Sequence, residues 1–230
     1  HSLEDVKECV RLANKYNISN YSFDFIYGIY DQRMKVIKKD LEIALSLNPK
    51  HLSLYSLMIE KHTKLYIEQY PQLEEEKVRE MYDYIYEHLT KNGFDRYEVS
   101  NFSLPGYESR HNLVYWKNKE YYAYGLGASA YLSGVRTTNT RSLNKFLNGE
   151  ITHIEEVIGN KEYEFEYIML RLRLEEGIDL DEYNSIFKEN FIEKFQEPIN
   201  KLVSEKLLLV DEKRVKASYE GFMLLNKVIL

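Results

Sequence analysis

Tyr21-Ser-Phe-Asp-Phe-Ile-Tyr27, closed by Gly28, and His51-Leu-Ser-Leu-Tyr-Ser-Leu-Met-Ile59 are the two runs that decide the fold. Both combine aromatic, aliphatic and β-branched residues over a length that suits a strand. Near-continuous apolar runs of this kind suit parallel strands covered on both faces. Between them Met34, Ile37, Leu41, Ala44 and Leu45 fall on one helical face, and Pro49 stops the helix. Upstream, Ser2 with Asp5 forms a capping box that opens a helix, with Val6, Val10 and Ala13 on its apolar side. Downstream, residues 73–92 predict a long acidic helix with Val78, Met81, Ile85 and Leu89 inward and a stop at Gly93. Residues 94–99 then predict a third strand. Helix and strand alternate throughout, which is the grammar of an α/β sheet or barrel. Three strands are too few to close a barrel, which needs about eight. The chain also opens on a helix where a βα repeat opens on a strand. The expectation is a piece of a larger α/β protein that lacks its first part.

The third strand runs into Tyr97-Glu-Val-Ser-Asn-Phe-Ser-Leu-Pro-Gly-Tyr-Glu-Ser-Arg-His-Asn-Leu-Val-Tyr-Trp116. After the Pro105-Gly106 turn this stretch presents Arg110, His111 and Asn112 in a row before Tyr115 and the chain's single Trp. Binding residues concentrate on such loops above a rigid scaffold. The competing reading is an Ω-type loop held down by its own aromatics, with His111 a satisfied hydrogen-bonding side chain.

The 230 residues, 44% hydrophobic and 30% charged, describe a folded globular chain rather than a disordered one. A formal charge of −6 argues against a general nucleic-acid binder. No apolar run reaches the roughly 18 residues that span a bilayer, and the polar N-terminus is not a signal peptide. The single cysteine, Cys9, excludes an intrachain disulfide and a Cys-based metal cluster within the chain. Cytoplasmic residence is expected, with Cys9 a buried, inert thiol.

Beyond Trp116, Ser133-Gly134 predicts a hairpin turn between strands at 128–132 and 135–138. Gly125 and Gly127 permit close backbone approach but do not complete a dinucleotide fingerprint. A short helix capped by Ser142 follows, and composition shifts after Gly149. Helices at 160–174, after Asp179, and at 191–206 precede two short strands, 207–210 and 214–217, and a terminal helix at 219–229. This order resembles a winged-helix module. Its recognition-like segment, Glu193-Lys-Phe-Gln-Glu-Pro-Ile-Asn-Lys201, is interrupted by Pro198 and mixed in charge, so DNA binding is not expected.

Taken together, Ser22-Phe-Asp-Phe-Ile-Tyr-Gly28, His51 to Glu60, Tyr97-Glu-Val-Ser-Asn-Phe102, Gly106 to Trp116 and the Gly125-to-Asn139 hairpin resemble the oxygen-independent coproporphyrinogen III oxidase-like proteins. These are radical S-adenosylmethionine (radical SAM) proteins, and the His-Asn-x-x-Tyr-Trp block points to their haem chaperone branch. Arg171-Leu-Arg-Leu-Glu-Glu-Gly-Ile-Asp-Leu180 and Leu224-Leu-Asn226 fit the family's C-terminal domain. The resemblance implies the C-terminal strands of a partial (β/α) barrel with a hairpin insertion over residues 1–150. A small winged-helix-like α+β domain over 151–230 would follow.

It also implies S-adenosylmethionine and a four-iron four-sulfur (4Fe-4S) cluster in the full-length protein. The family's Cys-x-x-x-Cys-x-x-Cys loop would precede residue 1, so the chain alone is expected to be inactive in radical chemistry. Asp24 and Ile26 match the strand lining the adenosine end of that cofactor, and Met58 lies near a backbone contact to it. His111, with Arg110 and Asn112, matches a motif associated with haem: an imidazole for the iron and a guanidinium for a propionate. The partners implied are a porphyrin or haem and a haem-accepting protein. The alternative is the oxidase itself, which decarboxylates coproporphyrinogen III. The sequence departs from the family at Tyr27-Gly-Ile-Tyr-Asp-Gln-Arg33, which lacks the usual Pro and Thr, and at Ala123 and Ser129. Of the remaining histidines, His51, His62, His88 and His153 read as surface or structural.

Overall fold

A computed structural model describes residues 2–229, and the side chains of all of these except Thr152 and His153. The chain divides into two compact units, His1–Glu108 and Ser109–Leu230.

The first unit runs α1 (Leu3–Lys15), β1 (Ser22–Tyr27), α2 (Met34–Ser46), β2 (His51–Ser56), α3 (Lys64–Ile67), α4 (Glu75–Lys91), β3 (Asp95–Arg96) and β4 (Asn101–Ser103). The capping box forms: the Ser2 hydroxyl accepts from Asp5 N–H, and the Asp5 carboxylate accepts from Ser2 N–H. The sheet has the order β1-β2-β4-β3, with β1 and β2 parallel in the register Ser22 to His51 through Tyr27 to Ser56. It is open and does not close on itself.

Ile37, Leu41 and Ala44 from α2 and Met81, Ile85 and Leu89 from α4 are buried, as are Leu52, Leu54 and Phe102 from the sheet. Ile85 is fully inaccessible, so truncation to Ala costs about 2–5 kcal/mol.

Three expectations are corrected in this unit. The strand expected at 94–99 is instead a two-residue β3 and a separate β4, which pairs antiparallel with β3 on one side and with β2 on the other. The chain reverses between them, where the Glu98 carboxylate accepts the Ser100 N–H at 3.3 Å. The sheet is therefore mixed. β1 is not covered on both faces, because Ser22, Asp24 and Ile26 are exposed while Phe23 and Phe25 are half-buried. Cys9 is exposed rather than buried, one step round the helix from the buried Val10.

The second unit runs α5 (Arg110–Trp116), β5 (Ser129–Leu132), β6 (Val135–Asn139), α6 (Leu143–Leu147), β7 (Thr152–Val157), α7 (Asn160–Arg171), β8 (Ile178–Asp179), α8 (Leu180–Phe187), α9 (Phe191–Lys194), α10 (Gln196–Ser204), β9 (Leu208–Val210), β10 (Arg214–Ala217), α11 (Tyr219–Met223) and α12 (Leu225–Ile229). The predicted hairpin forms, with Ser133 and Gly134 both at positive φ (50° and 78°), as a two-residue primed turn requires. β7 adds a third strand against β6 that the sequence reading lacks.

The helix expected at 191–206 breaks at Phe195, whose φ of −111° is not helical. Pro198 is not the breaker. It occupies the first turn of α10, where its missing N–H is one that no intrahelical carbonyl would accept. The terminal helix likewise divides at Leu224. The C-terminal strands form a three-stranded sheet, β8-β10-β9, rather than a two-stranded wing. Tyr167, Ile178, Tyr183, Phe191 and Val215 lie at the core of this part. Among the described residues no helix is long and apolar enough to cross a membrane.

Candidate functional site

The sequence-predicted residues fall in two places, one in each unit. In the first unit the parallel register pairs Asp24 with Ser53 and Ile26 with Tyr55, so Ser22, Asp24 and Ile26 share one sheet face with His51, Ser53 and Tyr55. β4 extends that face with Asn101 opposite Ser53 and Ser103 opposite His51. The result is a polar floor over an apolar underside. Ile26 and Met58, 55% and 71% exposed, lie at and just beyond the C-terminal ends of the two parallel strands. That is where open α/β sheets hold ligands. A cavity of about 520 Å³ borders β1, with Ser22, Asp24, Ile26 and Asp40 in its wall.

Asp24 has no hydrogen bond or ion pair among the described residues, and its field raises the proton affinity of His51. An exposed carboxylate above an apolar Ile26 suits a ligand that presents hydroxyls beside a flat apolar ring. These residues fit the sugar and base of an adenosyl group.

His51 is the residue the sequence reading left aside. It is buried, with Nδ1 2.8 Å from Ser22 Oγ and Nε2 2.8 Å from the Tyr97 hydroxyl, so one ring ties β1, β2 and the segment after β3. Burial lowers its pKa, against the opposing pull of Asp24. Glu98, fully inaccessible, is the second residue missed. Burial pushes its carboxyl up to about 6 despite hydrogen bonds from Ser100 and Asn101. Glu98 Oε1, Asn101 Oδ1 and Ser103 Oγ are buried without a partner among the described residues. The period-2 alternation of Ser22 and Asp24 with His51 and Ser53, once registered, is the signal that finds this floor.

In the second unit Arg110, His111 and Asn112 do not sit on a loop but open α5. Ser109 caps this helix by accepting the Asn112 N–H, and that cap turns the expected loop into a helix. Helical spacing puts His111 under Tyr115: Nε2 is 3.3 Å from the Tyr115 hydroxyl, and the rings meet edge to face with centroids 4.9 Å apart. Tyr115 in turn meets Tyr121 edge to face at 4.6 Å, and Tyr121 is bridged to Tyr131 of β5. Arg110 is exposed and pairs with no carboxylate among the described residues. An exposed imidazole in an aromatic row, beside a free guanidinium, suits a flat anionic ring system. A hollow of about 770 Å³ further on, walled by Tyr163, Phe165, Ile168 and Phe195, includes none of these three residues. Among the described residues no group of His, Cys, Asp and Glu could hold a metal ion. The side chain of His153 lies outside the described residues.

Sheet, helices and polar floor define an α/β protein, and its fold has a solved counterpart. Coproporphyrinogen III oxidase HemN from Escherichia coli, described as a radical SAM enzyme, superposes with a TM-score of 0.81 at 14% identity, over 100% of this chain and 58% of that one. A family profile described as the HemN C-terminal domain matches residues 158–224. The chain is 38% identical over 235 residues to the haem chaperone HemW of Lactococcus lactis subsp. lactis, covering 99% of this chain and 62% of the relative. It is 29% identical over 245 residues to the haem chaperone HemW of Bacillus subtilis, again 99% and 62%. It therefore spans about three fifths of the length of these relatives. Nearly the whole chain is thus similar to haem chaperone HemW proteins, and residues 158–224 to the HemN C-terminal domain.

Proposed function

We propose that this chain is part of a haem-binding chaperone that delivers haem to an accepting protein, and that His111 supplies the axial imidazole. The observation that carries this reading is the setting of His111: an exposed ring held by Tyr115 on α5, next to an exposed Arg110 that pairs with no carboxylate among the described residues. The names borne by the relatives point the same way.

In this reading Arg110 pairs with a propionate in bidentate fashion, and Asn112 lies on the same helix turn. Asp24, Ile26 and Met58 hold S-adenosylmethionine in the full-length protein. A 4Fe-4S cluster on cysteines outside this chain would supply the radical chemistry. Residues 1–150 then correspond to the C-terminal strands of the barrel with a hairpin insertion, and 151–230 to a winged-helix-like C-terminal domain. The profile match at 158–224 supports that second part. An exposed, unpaired Cys9 suits a reducing, cytoplasmic setting.

Titration of the chain with ferric haem, followed at the Soret band, tests the reading. The parent binds and shifts the band, and His111→Ala loses both the shift and at least tenfold in affinity. Identical titrations for the two would remove His111 from the site. Turnover of coproporphyrinogen III by the intact protein would favour the oxidase instead.

A further inference from the structure

We propose that Tyr115 is the positioning residue for His111. Its hydroxyl oxygen accepts the Nε2 proton and leaves the Nδ1 lone pair as the nitrogen offered to an iron tetrapyrrole. This rests on the haem reading above and deepens it.

Side chains four residues apart on a helix lie one above the other, and here the Tyr115 hydroxyl stands 3.3 Å from Nε2. Nδ1 has no partner among the described residues. A neutral imidazole carries one N–H and one lone pair, so whichever nitrogen is engaged as donor fixes the other as acceptor. Histidines that ligate metals hand their second N–H to an oxygen acceptor, which sets the tautomer and raises the basicity of the ligating nitrogen.

Tyr115 is not free to swing away from this task. Its ring lies edge to face against Tyr121, with centroids 4.6 Å apart and planes at 64°. Tyr121 is pinned in turn by paired backbone hydrogen bonds to Tyr131, at 2.9 and 3.0 Å. The hairpin strand β5 thus holds Tyr121, Tyr121 holds Tyr115, and Tyr115 orients His111. An exposed imidazole with no such backing would rotate among its rotamers and lose that freedom only on binding.

The test is a ferric haem titration of the full 230-residue chain as parent, Tyr115→Phe and His111→Ala, with a thermal melt of each. Phenylalanine keeps the ring and its edge contacts and removes only the acceptor. The expected result is a Tyr115→Phe protein that melts with the parent, binds haem 10- to 100-fold more weakly and shows a displaced Soret band. Tyr115→Phe binding and absorbing like the parent, while His111→Ala loses haem, overturns the positioning role and leaves the haem reading standing. Affinity and melting temperature falling together in Tyr115→Phe also overturn it, since packing alone then accounts for the residue. His111→Ala binding like the parent removes both.

Discussion

The Tyr97 hydroxyl lies 2.8 Å from Nε2 of the buried His51, whose Nδ1 is spoken for by Ser22 at the same distance. With both nitrogens engaged, the neutral ring uses its full capacity of one donor and one acceptor. Tyr97→Phe keeps the ring contact, 5.7 Å between centroids, and leaves Nε2 unpartnered. Loss of one partner of a buried polar group costs about 1–3 kcal/mol. Urea unfolding should show a lower midpoint of that size with an unchanged slope. A midpoint equal to the parent's would mean that water replaces the hydroxyl at no cost.

Glu98 gives a pH prediction with a definite sign. Its folded-state carboxyl titrates at about 6, above the ordinary 4.5, because burial opposes the charge. The folded protein holds that proton after the unfolded chain has released it. The stability it confers is therefore complete below pH 4.5 and is lost as pH rises through about 6, by roughly 2 kcal/mol. The lowered pKa of His51 acts the other way, eroding stability as pH falls below 6.5. Glu98→Gln keeps an oxygen for the Ser100 N–H and removes the titration. The difference between parent and variant stability, followed from pH 4 to 7, should slope only between about 4.5 and 6. A flat difference would show that Glu98 titrates normally.

Glu98 and His51 also show what the sequence could and could not disclose. The parallel pair β1–β2, the capping box at Ser2 and the Ser133-Gly134 turn follow from local chemistry, and each appears where its residues predict it. The reversal at Glu98 does not, because Tyr-Glu-Val-Ser-Asn-Phe has every local property of a strand. What bends it is a carboxylate turned back on its own backbone. The same limit hid the floor: His51 acquires meaning only when register sets it against Ser22, from 29 residues away. At α5 the spacing of His111 and Tyr115 was legible, but the loop reading around Pro105-Gly106 obscured the helix that makes that spacing matter.

Asp24 should affect ligand binding without affecting stability. Its carboxylate is exposed and makes no hydrogen bond among the described residues, so the fold draws little from it. Asp24→Asn is expected to melt within a degree or two of the parent, since exposed substitutions stay within about ±0.5 kcal/mol. In the full-length protein the same change should weaken S-adenosylmethionine by about tenfold, measured calorimetrically, because charge-assisted bonds to hydroxyls are worth about 1.5–3 kcal/mol. Unchanged affinity would sink the assignment of Asp24 to the adenosyl site.

Two glycines should respond very differently to one added methyl group. A Cβ on Gly221 in α11 would stand 2.0 Å from the Leu207 carbonyl oxygen and 3.1 Å from its carbon. Both are backbone atoms, and Leu207 is held by its own bond to the Ser218 N–H at 2.9 Å. Relief requires moving α11 away from the β9 end of the sheet, in a region where Leu207, Leu208, Ala217 and Phe222 are buried together. Gly106 has nothing within 4 Å of the same position, and only its φ of +84° resists a side chain. Gly106→Ala should therefore cost about 1–2 kcal/mol of left-handed strain. Gly221→Ala should cost more than about 4 kcal/mol, the range reserved for overpacked or strained cores. Parallel denaturation of the two variants checks the order. If Gly221→Ala proved the milder, α11 would have to give way more easily than its packing against Leu207 allows.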